Sequence, residues 1–175
     1  VKGLRIRDAR ASDRDAIEAV TLAAYQQYAS LMPALWESYR QNILATLAAA
    51  PPDAQIVAEE DGRIVGSVLL YPAGTVITRP GGGSTMLISP EVRLLAVAPG
   101  VRGKGVGAAL MQECVTRARA SGTASLTLHT TEIMQAAMRL YERMGFVRAP
   151  ELDFEPAPRV AVKGYRLKLR DKAAR

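Results

Sequence analysis

The chain has 175 residues, of which 49% are apolar and 23% charged, with a formal net charge of +6. These are ordinary values for a single globular domain large enough to bury a core. The single cysteine excludes an intrachain disulfide framework, no apolar run is long enough to cross a membrane, and no Cys/His cluster suggests a metal.

Taken in order, Leu4 to Arg7 alternates and predicts a first strand. Ser12-Asp13-Arg14-Asp15 then opens a helix, with Ser12 as the expected N-cap and Asp15 as a weak capping-box partner. Ile17, Val20, Ala24 and Tyr28 recur at helical spacing. After a break at residues 30–33, Pro33 starts a second helix with Leu35, Tyr39, Ile43 and Leu47 on one face, and Pro51-Pro52 ends it. Gln55 to Glu60 and Arg63 to Tyr71 read as two strands joined by Asp61-Gly62, a strong hairpin signal, with Gly66 marking a bulge. Pro72 to Pro90 is the least regular section. Its Gly81-Gly82-Gly83-Ser84 run lies between short strand extensions at Thr75 to Thr78 and Thr85 to Ser89, and is read as a surface loop rather than a hairpin tip.

Glu91 to Val97 is apolar and β-branched, bounded by Pro90 and Pro99-Gly100, and predicts an interior strand. Gly103, Gly105 and Gly107 lead into a helix over 106–120 with Leu110, Cys114 and Val115 on its buried stripe and Ser121-Gly122 as its stop. Cys114 is expected to be a small buried hydrophobe. A strand over 124–130, a helix over 131–144 closed by Gly145, a strand beginning at Phe146-Val147, an irregular connection over 149–159 and a strand over 160–169 complete one α/β domain, followed by a frayed tail from Arg170. The positive excess is concentrated near that tail. With only 5% aromatic residues to stack bases, it reads as a solvated basic face, so no nucleic-acid partner is expected. Charged residues recur from Lys2 to Arg14 without a secretory leader pattern, and the expected location is cytoplasmic, with no membrane partner.

The stretch from Glu91 to Ala109 carries the functional signal. A glycine-rich loop feeding a helix N-terminus is a ready anion site, because the first backbone N–H groups of a helix have no intrahelical partner and that end is positive. Glycines let a phosphate reach the backbone, and Arg102 and Lys104 add positive charge. The expected ligand is therefore phosphorylated, with a pyrophosphate favoured. A P-loop is excluded because Lys104 is followed by Gly105 rather than Ser or Thr. A Rossmann loop is excluded because the glycines fall as G-x-G-x-G and the next strand carries no acid.

The R-x-x-G-x-G run from Arg102 to Gly107, followed by A-x-x-L-Y-x-x-x-G-F from Ala137 to Phe146, resembles the GNAT N-acetyltransferase superfamily. The resemblance implies an α/β (α+β) GNAT, or acyl-CoA N-acyltransferase, fold. Its sheet would be mixed and mostly antiparallel, with helices on both faces and a splay between the two central strands. It implies acetyl transfer from acetyl-CoA to a primary amine of a small-molecule or protein acceptor, by direct attack in a ternary complex, with a homodimer as one option. Leu95, Ala96 and Val97 would pair with the pantetheine, and Arg102, Gly103, Lys104, Gly105, Val106, Gly107 and Ala108 would hold the pyrophosphate. Tyr141 would protonate the departing thiolate. Glu91, at the start of the central strand, is the candidate general base; alternation places it on one face with Arg93, Leu95 and Val97, and an apolar cleft floor is expected to raise its pKa. Tyr25, Tyr28, Met32 and Trp36 are candidate acceptor contacts. Met134 stands where relatives often carry a CoA-contacting asparagine, leaving Thr131 or Gln135 as substitutes, or no such contact at all. His129 is read as strand packing. The alternative function is a non-catalytic domain that binds CoA as a sensor or interaction module.

Overall fold

A computed structural model describes residues 3–79 and 83–169. In chain order its elements are β1 (Leu4–Asp8), α1 (Arg14–Tyr25), α2 (Trp36–Ala49), β2 (Gln55–Glu60), β3 (Arg63–Tyr71), β4 (Val76–Thr78) and β5 (Ser84–Met86). They continue as β6 (Glu91–Val97), α3 (Val106–Ala120), β7 (Ser125–Thr130), α4 (Gln135–Arg143), β8 (Val147–Arg148), β9 (Phe154–Ala157) and β10 (Val160–Lys168). The chain divides into two compact units: Val1–Leu70 with Leu94–Glu113, and Tyr71–Arg93 with Cys114–Arg175. The fold class is the expected mixed α/β one: β1–β2, β2–β3, β7–β10, β8–β10 and β9–β10 pair antiparallel, and β6–β7 pairs parallel.

In the first unit, β1, β2 and β3 form an antiparallel run with β6 next to β3. Asp61 and Gly62 both adopt positive φ, 50° and 74°, the geometry of a two-residue type I′ turn that matches strand twist. The expected bulge is present: the β2–β3 register shifts between Ala58 and Glu59, next to Gly66. Gly66 is also a packing residue. A Cβ there would lie 2.9 Å from the Ala96 carbonyl oxygen, 3.0 Å from Leu110 and 3.1 Å from Val106. Its bare backbone lets β3 approach β6 and α3 closely. Ile17, Val20 and Ala24 of α1 and Ile43 of α2 are buried with Ile56, Val57 and Val68 of the sheet. The helix start differs from expectation. Ser12 caps nothing; the Asp13 carboxylate instead accepts the Arg10 backbone N–H at 2.7 Å and two Arg7 donors at 2.6 and 3.1 Å, and Arg7 also reaches Glu59. An acid that can cap and pair with Arg7 together displaces a serine that can only cap.

In the second unit, β7 pairs with the first residues of β6 and with β10, which also takes β8 and β9. Two expectations are corrected here. Residues 72–90 contain a true hairpin, with β4 and β5 paired from Val76↔Met86 to Thr78↔Ser84, although Gly81 and Gly82 of its tip lie outside the described residues. The connection over 149–159 is not wholly irregular either, because β9 pairs with β10 there. α4 starts at Gln135 rather than at Thr131, and its C-terminus is set by Gly145 at φ +88°. Lys163 and Arg166 of β10 pair with Glu132 and Glu151, which the folding of distant segments brings to them. The tail from Arg170 lies outside the described residues. Cys114 is fully buried, as its stripe position on α3 requires. Among the described residues no helix is long and apolar enough to cross a membrane.

Candidate functional site

The first unit carries the loop. A short 3-10 turn over Pro99–Val101 leaves β6, and Arg102 to Gly105 then leads into α3. Gly103 and Gly105 adopt φ of +77° and +84°, and a Cβ on either would meet nothing within 4 Å. These glycines are required by backbone conformation rather than by crowding. The first donor bonded back along α3 is the Ala109 N–H, to the Gly105 carbonyl at 2.9 Å. The N–H groups of Val106, Gly107 and Ala108 precede it, as the first turn of a helix dictates. Donors at the head of a helix, with the helix dipole behind them, favour an anionic acceptor.

The Arg102 guanidinium is engaged elsewhere in the same unit. It donates to the Ala24 carbonyl at the end of α1 (2.9 Å) and to Gln27 Oε1 (3.3 Å), and Gln27 itself donates to the Ala24 carbonyl at 2.8 Å. The sequence placed this charge with the ligand; the structure uses it to tie the loop to a helix C-terminus, where cations are favoured. Upstream, Leu94 sits in the left-handed region at φ +49°. That conformation interrupts the period-two alternation expected to put Glu91, Arg93, Leu95 and Val97 on one face; Glu91 and Arg93, before it, lie together, Arg93 Nε 3.9 Å from the Glu91 carboxylate. Of the four, Glu91 is buried while Arg93, Leu95 and Val97 are part-exposed.

The acceptor candidates form an aromatic chain in this unit. Tyr25 contacts Tyr28 edge-on at 5.9 Å and Tyr39 at 6.0 Å, and Tyr39 contacts Trp36 at 6.3 Å. The helical spacing of Tyr39 predicts packing alone; its ring contacts make it the link of the group. Met32 lies in the turn between the helices, its N–H bonded to the Tyr28 carbonyl, and Leu31 and Leu35 beside it are exposed.

The second unit carries the ionisable cluster. Glu91 is 2% exposed and accepts from Arg79 Nη2 at 2.9 Å. Arg93 Nε lies 3.9 Å and His129 Nδ1 3.4 Å from its oxygens. Burial alone pushes the Glu91 carboxyl up, but the close His129 ring and the Arg79 guanidinium outweigh it, and the group titrates below the ordinary glutamate range. The expected upward shift is thus overturned: the surroundings are buried but not apolar. Arg79 was missed because it lies in the segment read as irregular, and no local pattern pairs it with Glu91. His129 is more than packing. Its Nε2 donates to the Leu152 carbonyl at 2.9 Å, since a carbonyl can only accept, and its ring meets Phe154 edge-on. Arg79 also stacks over Phe154, 4.9 Å from the ring centroid.

Tyr141 lies on α4, buried, with its ring 6.0 Å from Phe146. At the α4 N-terminus, Met134 occupies the N-cap and makes no side-chain cap bond, as a thioether must. Of its two possible substitutes, Gln135 is committed to the Glu132 carbonyl at 2.6 Å. The Thr131 hydroxyl is buried without a hydrogen-bond partner among the described residues. The neighbouring Thr130 hydroxyl shares that state. Among the described residues no group of His, Cys, Asp and Glu could hold a metal ion.

A sequence model of the acetyltransferase (GNAT) family matches residues 21–146, a stretch that runs through both units. The mycothiol acetyltransferase of Propionibacterium freudenreichii subsp. shermanii is 29% identical over 157 residues, which is 89% of this chain and 47% of that protein. The chain therefore spans about half the length of that relative. Among solved structures, Ard1 from Thermoplasma volcanium has a TM-score of 0.68 at 19% identity, covering 97% of this chain and 99% of its own. A GNAT acetyltransferase from Brucella melitensis, solved in complex with acetyl-CoA, has a TM-score of 0.58 at 23% identity, covering 96% and 89%. At these identities the two structures share the fold with this chain.

Proposed function

Because the chain belongs to the acetyltransferase (GNAT) family, we propose that it transfers the acetyl group of acetyl-CoA to a primary amine. The observation that carries this reading is the loop: two glycines held at positive φ, leading into a helix whose first N–H groups have no intrahelical partner. The donor's pyrophosphate takes the N–H groups from Arg102 to Ala108, and its pantetheine pairs with the backbone of Leu95, Ala96 and Val97. The Thr131 hydroxyl, beside the N-terminus of α4, is the candidate for a further contact to the donor.

The chemistry is direct displacement. The amine lone pair forms a C–N bond to the thioester carbonyl carbon, the C–S bond breaks, and the sulfur leaves as a thiolate. Tyr141 gives its phenolic proton to that thiolate and regains one from the amine through solvent. The acceptor arrives mostly as an ammonium, since a simple amine has a pKa near 10.4, and must shed a proton to attack. Glu91, ionised and ion-paired, is a weak acceptor for that proton; its role in this reading is to hold Arg79, Arg93 and His129 in place. The Tyr25–Tyr28–Tyr39–Trp36 aromatic faces, with Met32, receive the acceptor, and such faces attract an ammonium group.

The test is calorimetric titration with acetyl-CoA, followed by thiol release across a panel of amines. Binding with thiol release for one amine class is the expected result. No binding at millimolar acetyl-CoA overturns the reading, and binding without turnover on any amine favours a CoA sensor.

A further inference from the structure

The Arg102 side chain joins two parts of the first unit that the sequence treats separately. Its backbone opens the loop, while its guanidinium holds the Ala24 carbonyl at 2.9 Å and Gln27 Oε1 at 3.3 Å. Ala24 is adjacent to Tyr25, whose ring meets Tyr39, which in turn meets Trp36. A carbonyl near a helix C-terminus lacks a full set of intrahelical donors, so what it gains from Arg102 and Gln27 helps order the last turn of α1.

We propose that Arg102 is a positioning residue that couples occupancy of the loop to the conformation of the α1–α2 segment. The inference rests on the reading that the loop binds the donor's pyrophosphate. A phosphate oxygen is a stronger acceptor for a guanidinium than a carbonyl is, because both partners are charged. A pyrophosphate on the adjacent N–H groups therefore competes with Ala24 and Gln27 for the Arg102 donors. The last turn of α1 loses one of its clasps, and Tyr25, Tyr39 and Trp36 rearrange with it. Loading the donor thus resets the aromatic wall before the acceptor arrives.

Trp36 is the only tryptophan in the chain, so its emission reports this wall directly. The experiment titrates acetyl-CoA into the intact protein, following heat by calorimetry and Trp36 fluorescence excited at the red edge of the tryptophan band, where adenine does not absorb. In the wild type the two signals are expected to saturate together. Arg102→Met is expected to keep the calorimetric signal, with affinity weakened by less than about tenfold, a loss of under about 1.4 kcal/mol. It is expected to lose most of the fluorescence change at saturation. Arg102→Lys, which keeps the charge and one donor direction, restores part of it, and Gln27→Ala reduces it. A full fluorescence change in saturated Arg102→Met overturns the coupling, as does wild-type binding with no change at all. If circular dichroism shows that Arg102→Met is unfolded, the Gln27→Ala amplitude decides: an undiminished signal overturns the proposal. Absence of calorimetric binding in the wild type instead removes the underlying reading of the loop.

Discussion

Arg79 and Glu91, twelve positions apart, meet at 2.9 Å with only 3% of the Glu91 side chain exposed. The pair joins the end of β4 to the start of β6, and with His129 and Phe154 it holds four separate segments of the second unit together. Removing one member leaves the other charged and buried. Arg79→Met is expected to destabilise the protein by about 3 kcal/mol, the scale at which a broken buried pair is felt. Urea unfolding at pH 7 measures it; a loss below about 0.5 kcal/mol would show the pair to be decorative.

The same pair has a pH signature. Glu91 titrates below its ordinary value in the folded state. Its contribution to stability is therefore complete above the unfolded glutamate pKa of about 4.3 and is lost as pH falls from there through the folded value. Glu91→Gln lacks this dependence. The wild type is expected to be the more stable at pH 7, and the gap in unfolding midpoint is expected to narrow below about pH 4. A gap constant with pH contradicts the assignment. For activity, the rate profile between pH 5 and 8 is expected to contain no limb that Glu91→Gln abolishes.

Tyr141→Phe removes only the phenolic oxygen from a buried ring. If that oxygen protonates the thiolate, kcat falls by about a hundredfold or more, the usual range for one acid–base group, while acetyl-CoA affinity stays within about twofold. Single-turnover kinetics with calorimetry separates the two. An unchanged kcat leaves Tyr141 as a packing residue against Phe146.

Two kinds of glycine are expected to fail differently. A methyl group at Gly66 meets the Ala96 carbonyl oxygen at 2.9 Å, so Gly66→Ala overpacks the first unit and costs about 2 kcal/mol of stability. A methyl group at Gly105 meets nothing, and Gly105→Ala strains only a left-handed backbone, at about 1 kcal/mol. Its larger effect is on acetyl-CoA affinity, because relief of that strain re-aims the N–H groups at the head of α3. Thermal unfolding with and without acetyl-CoA distinguishes the two. Equal losses in both measurements for both variants would contradict the division.

Thr131→Val tests the unpartnered hydroxyl. A buried hydroxyl without a partner carries its desolvation cost, so its removal is expected to leave stability unchanged or slightly raised. Acetyl-CoA affinity is expected to fall about fivefold, the worth of one hydrogen bond of about 1 kcal/mol. A variant that loses stability and keeps its affinity refutes the contact.

What was legible in the sequence was what local chemistry dictates. The β2–β3 hairpin follows from alternation and an Asp-Gly turn, and β6 and α3 begin and end where proline, glycine and apolar periodicity place them. The glycine loop was legible for the same reason, since a positive φ at Gly103 and Gly105 is a property of the residue. What was not legible depends on partners that only folding supplies. The direction of the Glu91 shift turns on Arg79, which a hairpin delivers. The duty of Arg102 turns on Ala24, 78 residues away. Leu94 gives no sign in its side chain that its backbone leaves the strand region. Ser12 lost the helix start to Asp13 because Arg7, on a neighbouring strand, rewards a carboxylate there.

The burial of Cys114 at 0% exposure makes the protein its own control for a colorimetric thiol assay. If the proposed transfer occurs, the reagent that counts coenzyme released per turnover finds no competing sulfhydryl on the folded protein, so even a very slow acceptor gives an interpretable slope. With the donor left out, the same reagent measures something different: each slow increment of colour marks one molecule that has opened as far as the middle of α3. One vial of reagent thus times catalysis in one cuvette and unfolding in the next.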